Sequence, residues 1–380
     1  MKIGINFHTS DEYITGVEYY SLCLLNSLLQ VDGENEYVVF TNQPNLVRKH
    51  CVSSDRMSIY DLEKLSNRPK RIIWEHGRLP KVVSQKGLDI LHCLSYICPI
   101  RKSSVPYVVT VHDTIAIDYP QWCKNTNALY YGLFMKKALK NAARVVTVSN
   151  NTTDNLKRNF QIESERIRMI YPGIDEIFTS DENISHQCEV RERYGLPEKY
   201  ILFVGSVEPK KNVMTLLSAH KEIQKCGLKH KLVFVGKRSW RSSAELSEIS
   251  KQVSRGHLVW AGYVAKEDLP AVYQMADVFL FPSLYEGFGF PPLEAMACGT
   301  PVVATNTGAL KETLGKAAIE VEASNVGQIA KAAFSLITDL SLREKHINLG
   351  YQQSKRFCWE KTARQMLQLY KEICEESLSG

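Results

Sequence analysis

Short apolar runs that end on glycine or a polar turn alternate along this chain with stretches of helical periodicity, and the pattern halts once before starting again. The first series has strand-like runs at residues 2–7, 36–41, 89–92, 107–111 and 145–148. Helical spacing separates them at 17–28, 127–141 and 151–160, with weaker elements over 44–87. Such alternation predicts parallel strands with helices on both faces of the sheet. Residues 171–199 interrupt it with Pro172, Gly173, an acidic polar stretch, then Gly195 and Pro197. A second series follows at 200–205, 231–236, 257–260, 278–281, 301–304 and 317–321, and helical stretches fill 325–376. The expected class is therefore α/β, with two doubly wound, Rossmann-like domains at 1–175 and 196–358 and a linker at 176–195. Sheets of this kind bind ligands off the carboxyl ends of their strands, so the site is expected in a cleft between the domains.

Composition narrows the class. A length of 380 residues allows about two or three cores. A formal charge of +6 suits an anionic ligand or an anionic membrane surface and does not call for nucleic acid. The ten cysteines include no C-x-x-C pair, so neither a zinc site nor a thioredoxin-type motif is indicated. The first residues, Met1 to Phe7, read as a strand rather than a signal peptide, and no apolar run reaches membrane-spanning length; a cytoplasmic protein is expected.

The stretch 279–304 carries the chemistry. A buried strand runs into a loop holding Glu286, Gly287, Phe288, Gly289 and Phe290, and Pro291 and Pro292 then open a short helix that carries Glu294 and ends at Gly299. Glycines let a backbone approach a bulky anion, and the N–H groups at a helix start attract one. The pattern predicts a cradle for a phosphate-bearing ligand.

The run from Glu286 to Val303 resembles the signature of the family 4 retaining glycosyltransferases, which have the two-domain GT-B fold. Supporting pieces are Gly16, Thr110 to Asp113, Val145 to Ser149, Tyr171 to Asp175, Val204 to Asn212, Gly262 to Val264 and Phe357 to Lys361, so the resemblance covers nearly the whole chain. It implies a nucleotide-sugar donor with Glu294 on the ribose hydroxyls, Glu286 near the transferred sugar, and the backbone of 287–290 on phosphates and sugar. It implies Lys211 on the leaving diphosphate, Gly16 near the phosphates from the other domain, and the 262–264 main chain against the base, with Tyr263 beside it. His112 is implied as a ligand of the sugar hydroxyls, with Asp113 supporting it or facing the acceptor. Ser206 stands where the family usually has an arginine, which leaves Lys210 or Arg238 to supply the second charge. The resemblance also implies that a terminal helix near 359–376 crosses back to the N-terminal domain, the domain that binds acceptors.

No D-x-D sequence occurs, so no metal is expected, and lysine with helix-start amides would take its place. The motif style is closest to mannosyl- and rhamnosyl-type polysaccharide enzymes and suggests GDP-mannose, with UDP- or dTDP-sugars as alternatives. The expected acceptor is a glycan or lipid-linked glycan. Basic residues Arg68, Lys70, Arg71, Arg78, Lys81 and Lys86, with Lys136, Lys137, Lys140 and Arg144, suggest peripheral contact with an anionic membrane or an ordinary solvated face. Two rivals of other classes are weaker. A nicotinamide dehydrogenase needs a G-x-G-x-x-G run that residues 6–10 do not supply. A non-catalytic two-lobed binding protein would normally be exported, and it would not need both carboxylates and the lysine.

Overall fold

The computed structural model describes residues 1–8, 14, 16–65, 67–237 and 243–379. The chain divides into two compact units, unit 1 of Met1–Gly173 with Cys358–Gly380 and unit 2 of Ile174–Phe357.

Unit 1 is built on β1 (Lys2–Asn6), β2 (Glu36–Thr41), β3 (Met57–Asp61), β4 (Ile90–Cys93), β5 (Tyr107–Val111), β6 (Arg144–Thr147) and β7 (Ile167–Met169). They form one sheet in the order β3-β2-β1-β4-β5-β6-β7, with every neighbouring pair parallel. The inner strands are apolar and buried, as a sheet covered on both faces requires. The edge strands β3 and β7 are half-exposed and carry polar residues, which is why sequence periodicity misses both. Strand order reverses between β1 and β4, and such a switch point opens a crevice at the carboxyl ends.

The helix Trp359–Ser379 packs on the helix Gly16–Val31, so the chain's last segment belongs to unit 1. Its Tyr370 hydroxyl lies 2.6 Å from His92 Nδ1, and His92 Nε2 lies 2.8 Å from Thr110 Oγ1, all three buried. Burial pushes His92 down to about 3, so the ring is neutral, with one nitrogen donating and the other accepting.

Unit 2 repeats the plan with β8 (Tyr200–Val204), β9 (Lys231–Val235), β10 (Leu258–Gly262), β11 (Val278–Phe281), β12 (Val302–Thr305) and β13 (Ile319–Val321). The order is β10-β9-β8-β11-β12-β13, again all parallel. Phe203 meets Phe234 at 4.5 Å and Phe281 at 6.1 Å between ring centroids, locking β8 to its two neighbours. Here the switch point falls between β8 and β11, so the loops that follow these two strands lie side by side. The stretch 176–195 contains the helix Ile184–Tyr194, which packs on the helix Leu269–Gln274. Arg193 Nη1 and the Tyr194 hydroxyl both donate to Asp268 Oδ2, at 2.7 and 2.8 Å.

Tyr370→Phe removes one partner of a buried histidine and should lower unfolding free energy by about 1–3 kcal/mol. Urea unfolding checks this; a wild-type midpoint would mean that the hydrogen bond does not anchor the terminal helix.

Candidate functional site

After β8 the chain makes a tight turn, Pro209–Lys211, stopped by Asn212 in the left-handed region at φ 55°. Asparagine tolerates that conformation better than most residues. The Asn212 amide then donates to the Pro282 carbonyl at 3.1 Å and to the Ala323 carbonyl at 2.7 Å, tying this turn to the loops after β11 and β13. Leu284 N–H also donates to the Lys210 carbonyl at 2.7 Å. Together these bonds fix the lysine turn against the glycine loop.

The result is a buried ion pair. Lys211 Nζ donates to Glu286 Oε1 at 2.6 Å, with both side chains about nine-tenths covered, and the ammonium sits 4.8 Å from the centre of the Phe281 ring. Burial alone would raise the Glu286 pKa. Lys211, then Lys210, together with the hydrogen bond from Lys211, outweigh it and hold Glu286 below its ordinary value. An ammonium has three donors and Glu286 takes one, so Lys211 can also bind an anion.

The glycine loop is shaped by two glycines. Gly289 caps the helix Phe290–Ala297 with φ +100°, a conformation that a side chain would strain. At Gly308 a Cβ would fall 2.5 Å from the Glu286 carbonyl oxygen, which itself accepts from Ala309 N–H at 3.0 Å. Phe288 is buried against Phe290 and Phe357, and its carbonyl accepts from Thr313 Oγ1 at 3.0 Å.

Glu294, in the middle of that helix, is buried and accepts from the Tyr273 hydroxyl at 2.9 Å. Burial pushes it up to about 7, although Tyr273 and Lys266 act the other way. Unit 2 thus shifts two carboxyls of one short motif in opposite directions.

At the far side of the same sheet end, Gly236 N–H donates to the Gly262 carbonyl at 2.8 Å and Trp260 Nε1 donates to the Gly236 carbonyl at 2.9 Å, fixing the turn after β10. Val264 is buried, whereas Tyr263 is exposed and lies 5.9 Å from Lys237 Nζ. The Ser206 hydroxyl, partly exposed, donates to Glu208 Oε1 at 2.7 Å. Lys210 acts on Glu286 electrostatically, while Arg238 lies outside the described residues.

In unit 1, His112 Nε2 donates to the Leu94 carbonyl at 2.8 Å, and its buried ring is gripped by Tyr20 and Tyr96. Burial holds its pKa below the ordinary value against that hydrogen bond and Asp113. Asp113 accepts from the Tyr96 hydroxyl and from Ile115 N–H, both at 3.0 Å, so its oxygens serve the local fold. Gly16 starts the first helix and is exposed. Among the described residues no group of three His, Cys, Asp or Glu side chains converges as a metal site would.

Within unit 2 the structure gathers Lys210, Lys211, Glu286 and the 287–290 loop at one switch point. Sequence reasoning passed over Asn212 and Tyr273, which hold these groups in place. Asn212 had a legible signal, an asparagine closing a Pro-Lys-Lys turn before a helix.

Two family models match the chain, Glycosyl transferases group 1 over residues 188–353 and Glycosyltransferase Family 4 over residues 14–177. The O-antigen chain mannosyltransferase B of Escherichia coli is 31% identical over 270 residues, which is 70% of each chain. The serotype-specific mannosyltransferase WbdA of Escherichia coli is 25% identical across 99% of this chain but only 48% of its own length. Among solved structures, Anabaena HepE in complex with UDP and glucose superposes with a TM-score of 0.75 at 18% identity, over 98% of this chain and all of that one.

The Glu294 environment makes a prediction independent of any ligand. Its folded pKa of about 7 lies above the ordinary 4.5, so the folded chain holds an extra proton between these values. The stability that this proton confers is full below the lower value and is lost as pH rises through the upper one. Glu294→Gln, which mimics the protonated form, should exceed wild type by on the order of 3 kcal/mol at about pH 8 and match it at about pH 4. Denaturant titrations at both pH values check this, and a difference that does not change with pH would overturn it.

Proposed function

We propose, since this chain belongs to the glycosyltransferase family whose group 1 and family 4 models span most of its length, that it is a retaining hexosyltransferase. The reaction moves mannose from GDP-mannose to a glycan or lipid-linked glycan acceptor in surface polysaccharide assembly. The observation that carries this reading is the buried Lys211–Glu286 pair, 2.6 Å apart beside the glycine loop at the switch point of unit 2. The mannosyl donor is supported by the relatives, two of which are named mannosyltransferases.

In this mechanism the bond between the sugar's anomeric carbon and the diphosphate oxygen breaks while the acceptor hydroxyl enters on the same face. The hydroxyl proton passes to the departing phosphate oxygen. Lys211 and the loop amides neutralise charge as it develops on the diphosphate, an interaction that strengthens toward the transition state. Glu294 accepts the ribose hydroxyls, and Glu286 steadies the sugar near the reacting carbon. Gly16 lets backbone amides near the phosphates, and the 262–264 main chain reads the base edge. His112 binds sugar hydroxyls through Nδ1, the nitrogen that Leu94 does not engage. No metal is invoked, so turnover should survive EDTA.

Incubation with a panel of nucleotide sugars, followed by assay of the released nucleoside diphosphate, tests the reading. GDP release from GDP-mannose is expected, and Lys211→Ala and Glu286→Ala should each cut it at least about a hundredfold while thermal unfolding shows a folded chain. Near-wild-type turnover in either variant would sink the catalytic assignment. Release from UDP-glucose alone would replace the donor.

No described helix is long and apolar enough to cross a membrane. Our reading instead lets unit 1 rest on an anionic lipid surface. The helix Asn125–Asn141 exposes Leu129 and Leu133 on the stripe that carries Lys136, Lys137 and Lys140. Sedimentation with anionic but not zwitterionic liposomes is expected, and weaker for Leu129→Ser/Leu133→Ser; equal sedimentation with both lipids would count against it.

A further inference from the structure

Unit 1 has a switch point of its own, between β1 and β4, and a set of polar side chains is buried there that the proposed donor chemistry does not use. Asn6 ends β1 and His8 follows it; Asn42 follows β2. The helix Arg68–Gly77 brings Arg68, Arg71 and Glu75 on one face, spaced three and four residues apart. His8 Nε2 stands 3.2 Å from Glu75 Oε1 without the alignment of a hydrogen bond. Asn6 is 7% exposed and the His8 side chain 6%.

Their polar atoms are incompletely met. Oδ1 of Asn6 and Nε of Arg71 are buried without a hydrogen-bond partner among the described residues, and His8, with Asn42 and Glu75 beside it, makes no well-aligned hydrogen bond through either ring nitrogen. Folded chains pair nearly all such atoms, and a concentration of exceptions in one place requires an explanation. Burial also pushes Glu75 up to about 7, against the pull of Arg71, and pushes His8 down to about 3, so carboxyl and imidazole both lean to their neutral forms. Close by, Tyr130 meets His76 at 3.2 Å, Tyr131 stacks near Tyr96, and Tyr96 borders His112. Aromatic faces therefore run from this cluster toward His112 within the unit.

The mixture of groups selects the ligand class. A phosphate wants donors only, and Asn6 Oδ1 with the accepting nitrogen of the neutral His8 ring opposes it; a cation wants acceptors only, and Arg71 opposes it. Sugar hydroxyls both donate and accept, and the carbon face of a sugar ring packs on aromatic rings. We infer that Asn6, His8, Arg71 and Glu75 form a saccharide subsite at the switch point of unit 1, and that it reads the hydroxyls of the acceptor sugar. Naming the sugar as the acceptor rests on the glycosyltransferase reading; the subsite itself does not. The rival role is structural, the cluster serving only to seat the helix Arg68–Gly77 on the sheet.

Saturation-transfer NMR on the full chain separates the two. The probes are methyl α-D-mannopyranoside, methyl α-D-glucopyranoside, methyl β-D-galactopyranoside and inorganic phosphate, against wild type, Glu75→Gln and Arg71→Met, with Asn6→Ser as a milder variant should either fail to fold. At least one glycoside should bind wild type, and about tenfold or more weaker in the variants. Wild-type GDP release in the absence of acceptor should persist in them. Equal glycoside binding by all proteins, binding of phosphate alone, or no glycoside binding by wild type would each overturn the subsite. A wild type that binds glycoside at this cluster but releases no nucleotide from any donor would instead overturn the transferase reading.

Discussion

Lys211 and Glu286 are 75 residues apart in sequence and 2.6 Å apart in space, and neither charge could stay buried without the other. An uncompensated charge in such a place costs about 3–5 kcal/mol, so each residue constrains the loop that carries the other. The pair depends on topology. β8 and β11 are neighbours only because the strand order reverses there, and each delivers its loop to the same edge. The Asn212 bridges and the Leu284 N–H bond to the Lys210 carbonyl then convert that proximity into a fixed geometry. A pre-set ammonium is what charge stabilisation in a reaction demands, because no reorganisation is needed when the charge appears.

The two glutamates show how environment assigns roles to identical side chains. Glu286 has a lysine at contact distance and stays ionised despite burial; Glu294 has a tyrosine hydroxyl instead and is pushed up to about 7. One is held as an anion, and the other can carry a proton until a polar ligand displaces it. Such a carboxyl is a poor contributor to the stability of the empty fold once it ionises. Strain of that kind is expected at binding sites rather than in structural ones.

Much of this was legible in the sequence, and what was not has a common physical cause. The central strands, the glycine loop and the residues 286, 294 and 211 stand out because their signals are local: continuous apolar runs, glycine with proline, a lysine after a strand. The edge strands β3 and β7 and the helix Ile184–Tyr194 escape because they carry no continuous apolar pattern. That helix is short of apolar residues and is held largely through polar contacts, such as those of Arg193 and Tyr194 with Asp268. The polar cluster of unit 1 is hidden for the same reason. Its histidine, arginine and glutamate lie in a stretch of weak periodicity, and only the placement of the helix Arg68–Gly77 beside the ends of β1 and β2 brings them together.

Ser206 stands where the sequence resemblance implies an arginine, yet positive charge is still held close to Glu286. The serine hydroxyl donates to Glu208 Oε1, two residues on, within the stretch that leads to the lysine turn. Lys210 lies close enough to Glu286 to help hold it ionised, which places its field at the same spot. Lys211 and Glu286 are together nearly neutral while empty, so the fold does not bear the repulsion of bare cations. The positive charge becomes available when an anion offers Lys211 a second partner. The field at this spot therefore comes from a shielded lysine held in position, not from the number of cations around it.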